Sequence, residues 1–180
     1  MLNYDNLNDT EFEALCRDIM ERKLGVPLRR FGPGKDGGVD LTNDADAKNI
    51  IVQVKHYRNS TTTQLVNSLK NEIKKVITLS PQQYHICCSR ELSVENIKEL
   101  YLHFNAYMAS DKNIITILEI DDFLKKDENR DILRKHFKLW LDDTGILQEL
   151  GNDKVFVDCE AFMDDAETLH KLFVRTSTLA

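Results

Sequence analysis

The segment Ile50-Ile51-Val52-Gln53-Val54-Lys55-His56-Tyr57 restricts what this chain can fold into more than any other feature. Its run of β-branched residues is typical of a strand that is buried on both faces. Gln53 and Lys55 interrupt this run, and alternate residues of a strand point to the same face. Because burying an unpaired charge is costly, the pattern predicts a functional site at this end of the strand.

The segment before this strand supplies a candidate partner for its polar face. Residues 39–43 are predicted to form a strand, and residues 44–49 a hairpin loop that leads into the strand at residues 50–57. Asp40 lies 13 residues before Gln53, so the hairpin would place Asp40 beside the face that carries Gln53 and Lys55. Three polar groups are therefore predicted to converge.

The other elements are predicted from the spacing of apolar residues and from turn residues. We predict helices at about residues 9–23, 61–79, 93–109 and 129–141, strands at 28–31, 83–89 and 114–119, and a helix capped by Asp121. The resulting order, α-β-β-β-α-β-α-β-α, indicates an α/β sandwich in which an antiparallel hairpin joins strands reached by helical crossovers.

Charge and composition limit the partners and the location of the chain. The net charge of −6 argues against nucleic acid, but residues 1–90 carry 13 Lys/Arg against 11 Asp/Glu, whereas residues 91–180 carry 11 against 19. Phosphate contacts are therefore expected from the first half. The sequence contains no signal peptide and no apolar stretch of spanning length, and its four cysteines form no CxxC pair. These observations predict a cytoplasmic protein with reduced thiols and no membrane contact.

The converging residues suit the hydrolysis of a phosphodiester, which needs a divalent cation and an activated water. Asp40 offers a hard oxygen ligand, the Gln53 side-chain carbonyl a second, and the Val54 main-chain carbonyl a third, as suits Mg²⁺ or its substitute Mn²⁺. Lys55 can orient the water and stabilise developing charge. Glu13, on the inward side of the first helix, can supply another carboxylate. The alternative is a strand end with a snorkelling lysine and a solvated glutamine.

Three sequence motifs point to one family. They are Phe12-Glu13-x-Leu15 on the first helix, Gly34-Lys35-Asp36-Gly37-Gly38-Val39-Asp40 before a strand, and Gln53-Val54-Lys55-His56-Tyr57 on the next. Over about residues 8–120 the chain resembles the Mrr-like restriction endonucleases, a branch of the PD-(D/E)xK nuclease superfamily. The resemblance implies a restriction-endonuclease-like three-layer α/β/α sandwich with a mixed central sheet. It also implies a Mg²⁺-dependent enzyme, similar to type IV restriction endonucleases, that cuts double-stranded DNA.

The same resemblance implies roles for individual residues. Asp40 corresponds to the metal-binding aspartate, Gln53 to the acidic ligand, Lys55 to the catalytic lysine and Glu13 to the helix carboxylate. Val39 replaces the proline that usually precedes the aspartate, and Gln53 replaces an acid, although the Mrr-like branch commonly has glutamine there. A neutral amide attracts a divalent cation less than a carboxylate does. Asp36 would compensate if its turn folds back; otherwise it stabilises the glycine turn.

Five residues are candidates for contact with DNA: Lys35, Tyr57, Arg58, Thr61 and Thr62. The threonines begin a predicted helix, where free N–H groups and hydroxyls can bind phosphate, although ordinary capping explains the same residues. Tyr57 is expected either to line the DNA groove or to pack against the following helix.

The domain organisation and the partners are predicted partly from a second, weaker likeness. We predict a nuclease domain at residues 1–142 and a helical extension or linker at residues 143–180. The stretch from Phe123 to Leu141 resembles the region that comes after this nuclease domain in large signal-transducing (STAND-type) NTPases of bacterial antiviral defence. This likeness implies an antiviral defence effector fused to an oligomerising NTPase, or a homo-oligomer of at least two chains. The alternatives are a catalytically weak module that binds or senses DNA, and an oligomerisation or interaction domain.

Overall fold

A single mixed β-sheet organises the structure, a computed structural model that describes residues 2–31, 39–57 and 61–140. Its strands lie in chain order across the sheet: β1 (Arg29–Arg30), β2 (Leu41–Thr42), β3 (Ile50–Lys55), β4 (Gln83–Cys88) and β5 (Ile114–Ile115). β1 pairs with β2 and β2 with β3 in antiparallel fashion, whereas β3–β4 and β4–β5 are parallel pairs. The predicted combination of a hairpin with helical crossovers is confirmed.

Helices cover the sheet and connect its parallel strands. In the described ranges they are α1 (Asp9–Leu24), α2 (Thr62–Asn71), α3 (Ile73–Leu79), α4 (Val94–Phe104), α5 (Ile117–Leu124) and α6 (Arg130–Lys135). α2 and α3 connect β3 to β4, and α4 connects β4 to β5. The α/β class with a mixed sheet is therefore confirmed.

The alternation of β3 separates its residues between two helical layers. Ile51, Gln53 and Lys55 pair in register with Tyr84, Ile86 and Cys88 of β4, so these residues share one face. That face contributes to a core with buried residues of α2 and α4: Leu65, Leu69, Leu100 and Phe104. The intervening residues of β3 face the opposite side, where α1 contacts the strand.

α1 begins and ends where the sequence predicts, for identifiable reasons. The Asn8 side chain accepts from the Glu11 N–H while Glu11 accepts from the Asn8 N–H, which forms a capping box. Gly25 ends the helix at φ 69°, in the left-handed region that glycine adopts without strain. Between these ends, Phe12 and Leu15 are fully buried, so α1 presents its apolar stripe to the sheet.

Three predicted helices are wrong in extent. The predicted helix at residues 61–79 consists of two helices that meet at Glu72, whose N–H donates to the Leu69 carbonyl over 3.0 Å. The predicted helix at residues 93–109 ends at Phe104. The predicted helix at residues 129–141 comprises α6 and a short 3₁₀ turn, Phe137–Leu139.

The last predicted strand is also corrected. β5 stops at Ile115, and Thr116 begins α5 with a capping box formed with Glu119. Asp121 therefore does not cap this helix but lies within it, where it accepts a 3.2 Å hydrogen bond from the Tyr4 hydroxyl. The buried residues Ile120 and Leu124 lie four apart, a spacing that places them on one face of the helix.

Residues 2–139 form one compact unit. The predicted helical extension at residues 143–180 lies outside the described residues, so the domain boundary stays a prediction. Within the described ranges, every helix is too short or too polar to cross a membrane.

Candidate active site

The hairpin formed by β2 and β3 brings Asp40 to Gln53. Because Leu41 pairs with Val52, the preceding Asp40 lies opposite Gln53 across the ladder. Asp40 Oδ2 accepts hydrogen bonds from the Gln53 side-chain amide and, over 2.7 Å, from the Val54 backbone N–H. A carboxylate only accepts, so the nitrogen of the Gln53 amide faces Asp40 and its carbonyl oxygen points away.

This end of the sheet opens into a cleft of about 300 Å³. The cleft is lined by Asp9, Glu13, Asp40, Val54, Lys55, His56 and Tyr57. Glu13 comes from α1, Asp40 from the segment before β2, and Lys55 from the end of β3. The structure thus places Glu13, Asp40 and Lys55, which the sequence singled out separately, around one opening, with the buried Gln53 bonded behind them.

The carboxylates of this cleft lack full compensation. Burial raises the pKa of Asp40 above its ordinary value, although the Val54 N–H and the charge of Lys55 partly oppose this rise. Burial also raises the pKa of Glu13, and the charge of Asp40 raises it further while Arg30 opposes. A raised carboxyl pKa means that the folded protein disfavours the ionised form. A cation in the cleft would reverse that effect for both acids.

Lys55 is held by an acid that sequence reasoning missed. Its Nζ lies 3.0 Å from Glu72 Oε1, and Lys75 Nζ lies 2.5 Å from Glu72 Oε2. Burial disfavours ionised Glu72, but the hydrogen bonds from Lys75 and Lys55 outweigh it and keep the pKa of Glu72 below its ordinary value. The spacing of 17 residues between Lys55 and Glu72 follows no local period, so no sequence pattern indicates this pair.

His56 and Asp9 form a second contact at the cleft. The His56 ring stacks on Phe12 with centroids 4.7 Å apart, and its Nδ1 lies 3.1 Å from Asp9 Oδ1. His56 Nε2 is buried and has no hydrogen-bond partner among the described residues. Because residues 55 and 56 face opposite sides of the strand, His56 packs on α1 whereas Lys55 reaches α2 and α3. Asp9 was not among the site residues predicted from the sequence.

The structure describes three of the five candidate DNA-contacting residues. Thr61 caps α2: its hydroxyl accepts from the Gln64 N–H over 3.3 Å. Tyr57 lines the cleft and packs against the core, while its N–H donates to Ser89 Oγ over 2.8 Å. Thr62 is half-buried in the first turn of α2. Lys35, Arg58 and also Asp36 lie outside the described residues, and DNA contact stays a prediction for all of them.

The donor atoms at the cleft fit a hard divalent cation. Both described hydrogen bonds to Asp40 reach Oδ2, which leaves Oδ1 for coordination. The carboxylate of Glu13 and the main-chain carbonyl of Val54 add oxygen donors of the kind that Mg²⁺ prefers. The Gln53 side-chain carbonyl, predicted from the sequence as a ligand, is not placed beside them, because the Gln53 amide nitrogen faces Asp40 and Gln53 is buried behind the cleft. In residues 2–31, 39–57 and 61–140, no three His, Cys, Asp or Glu side chains are placed to hold a metal ion. Any cation here therefore depends on amide, main-chain or water oxygens besides its carboxylates.

One protein family matches part of the chain. Residues 4–76 match the Mrr catalytic-domain family, described as "Restriction endonuclease". This match covers α1, the β2–β3 hairpin, α2 and the start of α3. The segment is therefore similar to the Mrr-like restriction endonucleases, and the mixed sheet is consistent with their fold. This similarity supports a nuclease.

The similarity to one curated relative covers more of the chain than residues 4–76. The chain is 26% identical over 153 residues to "Uncharacterized protein y4cD" of Sinorhizobium fredii, an alignment that covers 85% of this chain and 24% of the relative. The chain thus spans about a quarter of the length of that relative. No solved structure gives a significant match.

Proposed function

We propose that this protein is a Mg²⁺-dependent endonuclease that hydrolyses phosphodiester bonds of double-stranded DNA. The observation that carries the proposal is the convergence of Asp40, Glu13 and Lys55 on one cleft, where two carboxyls have raised pKa values. A divalent cation held there by Asp40 and Glu13 would polarise the phosphate and lower the pKa of a coordinated water. Mn²⁺ is expected to substitute for Mg²⁺.

The residues of the chain have distinct roles in this proposal. Asp40 and Glu13 would hold the cation together with the Val54 carbonyl oxygen, and the Gln53 carbonyl oxygen would join them only if its amide turned over. The Gln53 amide and the Val54 N–H orient Asp40 through Oδ2. The Lys55 ammonium, at the wall of the cleft, stabilises negative charge that develops on the phosphate and orients the attacking water.

A plasmid assay tests this function directly. Supercoiled plasmid is incubated with the wild type and with Lys55→Ala, in Mg²⁺, in Mn²⁺ and in a chelator. We expect nicked and linear products from the wild type with metal only. Intact plasmid in every condition would favour one of the two alternatives without cleavage. A gel shift with DNA then distinguishes them, because a nuclease-fold module that binds or senses DNA shifts the band and an interaction domain that does not bind DNA leaves it in place.

We further propose that the domain acts in clustered copies as a cytoplasmic antiviral defence effector. One chain carries one Asp40/Gln53/Lys55 set, whereas cutting both strands of a duplex takes two sites or two successive nicks. The net charge of −6 makes a single copy a poor non-specific DNA binder. Fusion to an oligomerising partner such as an NTPase is proposed only from the likeness of residues 123–141 to the region that comes after this nuclease domain in such proteins.

Clustering is tested by fusing the chain to an unrelated tetrameric protein. Avidity predicts faster cleavage per active site for the fusion at equal salt, with unchanged metal dependence. Equal rates for the fused and the free chain would show that clustering does not limit the reaction.

A further inference from the structure

Glu72 occupies the junction of α2 and α3 and is held there on both sides. Its N–H donates to the Leu69 carbonyl and its carbonyl accepts from the Val76 N–H, each over 3.0 Å. Its side chain is 17% exposed and places one oxygen on Lys55 and the other on Lys75. Two ammonium groups and the helix junction thus fix the position of this carboxylate.

The Lys55 ammonium lies within reach of two centres of negative charge. It bonds Glu72, and its charge also lowers the pKa of Asp40, so Asp40 lies in its electrostatic field. Lys55 and Asp40 both line the cleft, whereas Glu72 does not. A lysine side chain is long and flexible and can change its partner. Glu72 therefore draws the ammonium toward the wall of the cleft.

We propose that Glu72 is a positioning residue that keeps the Lys55 ammonium off Asp40, so that Asp40 and Glu13 stay open to a divalent cation. Without Glu72, the ammonium pairs with the half-buried Asp40, which lines the same cleft, and competes with the cation for it. Lys75 holds the second oxygen and preserves the orientation of Glu72. This inference deepens the proposed function and rests on it for the identity of the cation.

Calorimetric titration with Mn²⁺ in the absence of DNA tests the competition. Glu72→Gln should bind Mn²⁺ about tenfold more weakly than the wild type, equivalent to about 1.4 kcal/mol. The double variant Lys55→Ala/Glu72→Gln should recover wild-type binding, because the competing ammonium is gone. Glu99→Gln is the matched control, since Glu99 pairs with Lys70 of α2 and does not line the cleft. It should bind Mn²⁺ like the wild type.

The recovery in the double variant distinguishes competition from a loss of folding. Mn²⁺ binding by Glu72→Gln equal to that of the wild type, or a double variant as weak as the single one, would overturn the proposal. Thermal unfolding of each variant is measured alongside.

A crystal structure of Glu72→Gln without metal supplies a readout that needs neither cation nor DNA. We expect Lys55 Nζ within about 4 Å of an Asp40 carboxylate oxygen, the range of an ion pair. An ammonium that stays away from Asp40 would overturn the inference even if no variant binds Mn²⁺. Failure of the wild type to cut DNA, with the expected shift of Lys55 present, would instead reject the proposed nuclease function alone.

Discussion

Two aspartates of the same domain, the buried Asp18 and the half-buried Asp40, have pKa values shifted in opposite directions. Burial disfavours ionised Asp18, but hydrogen bonds from His136, Lys135 and Arg17 outweigh it and hold its pKa far below the ordinary value. These three partners lie 2.8, 2.7 and 2.9 Å from its oxygens. Asp40, by contrast, has a pKa raised by burial and receives its described hydrogen bonds from an amide and a backbone N–H.

The difference separates a structural carboxylate from a candidate functional one. Two of the three bases around Asp18, Lys135 and His136, join α1 to the end of α6, so the charge of Asp18 is used within the fold. The charge of Asp40 is left under-compensated in an open cleft, which costs stability unless a ligand supplies the missing cation. Strongly perturbed acids in clefts are candidates for function for this reason.

The largest expected effect is the loss of cleavage in Asp40→Asn. We expect the rate to fall by about 10³-fold or more, because the substitution removes the charged oxygen that holds the cation. The unfolding temperature should not fall, since a half-buried charge that is only partly compensated is removed and the asparagine oxygen can still accept from Val54. Plasmid cleavage and thermal unfolding measure the two quantities. A folded variant that cuts at the wild-type rate would remove Asp40 from the mechanism.

Asp18→Asn should lower stability and leave cleavage unchanged. Removing this charge leaves the nearly buried His136 and the partly buried Arg17 without their partner, and we expect the free energy of unfolding to fall by about 2–4 kcal/mol. Chemical denaturation gives this value. Cleavage per folded molecule should remain that of the wild type, measured well below the unfolding temperature. An Asp18→Asn protein as stable as the wild type would show that Asp18 is not the structural carboxylate of this comparison.

Part of the pH dependence of stability should come from Asp18. Its folded pKa is depressed, so its stabilising contribution is present above the unfolded pKa of about 3.9 and is lost as pH falls below it. Wild type should therefore lose stability between about pH 5 and pH 2 more steeply than Asp18→Asn. Denaturation midpoints at several pH values give both slopes. Parallel slopes would contradict the depressed pKa.

The effect of ionised Asp40 on stability should be opposite to that of ionised Asp18. Its folded pKa is raised, so ionisation above the unfolded value disfavours the folded state. Asp40→Asn should remove that small loss of stability as pH rises from about 4 to 7, and the same denaturation series measures it. An Asp40→Asn protein that loses as much stability as the wild type over this range would show that the Asp40 pKa is not raised.

The smallest effect is expected from Gln53→Glu. A second acid beside Asp40 should bind Mn²⁺ a few-fold more tightly, because a carboxylate attracts a divalent cation more than an amide does. Cleavage should be retained. Calorimetry compares Gln53→Glu with the wild type. Weaker Mn²⁺ binding would mean that the amide hydrogen bond from Gln53 to Asp40 matters more than the added charge.

The central part of the site could be predicted from local patterns. Period two on β3 placed Gln53 and Lys55 on one face, and a short hairpin brought Asp40 opposite Gln53. Both inferences need only residues that are near one another in the chain. The predicted strands at residues 50–57 and 83–89 match β3 and β4 closely for the same reason, since each is a long apolar run with clear ends.

The ends of several elements and the long-range partners could not be predicted from local patterns. Ile114 to Ile117 is apolar enough for a strand, yet Thr116 and Glu119 form a capping box that starts α5 instead. Glu72, which holds Lys55, lies where a continuous helix was predicted. Asp9 joins the site only because His56 packs against Phe12 of α1.

The strands β3 and β4, their alternation and the hairpin could be predicted from the sequence, because these features depend on periodicity and on turns between neighbouring residues. Which charges are compensated became visible only in the folded protein. Asp18 and His136 are 118 residues apart, and Lys55 and Glu72 are 17 apart, so no local spacing relates them. Whether a buried carboxylate is neutralised or left for a cation depends on which helices pack against it, since burial and ion pairing both act through distances in space.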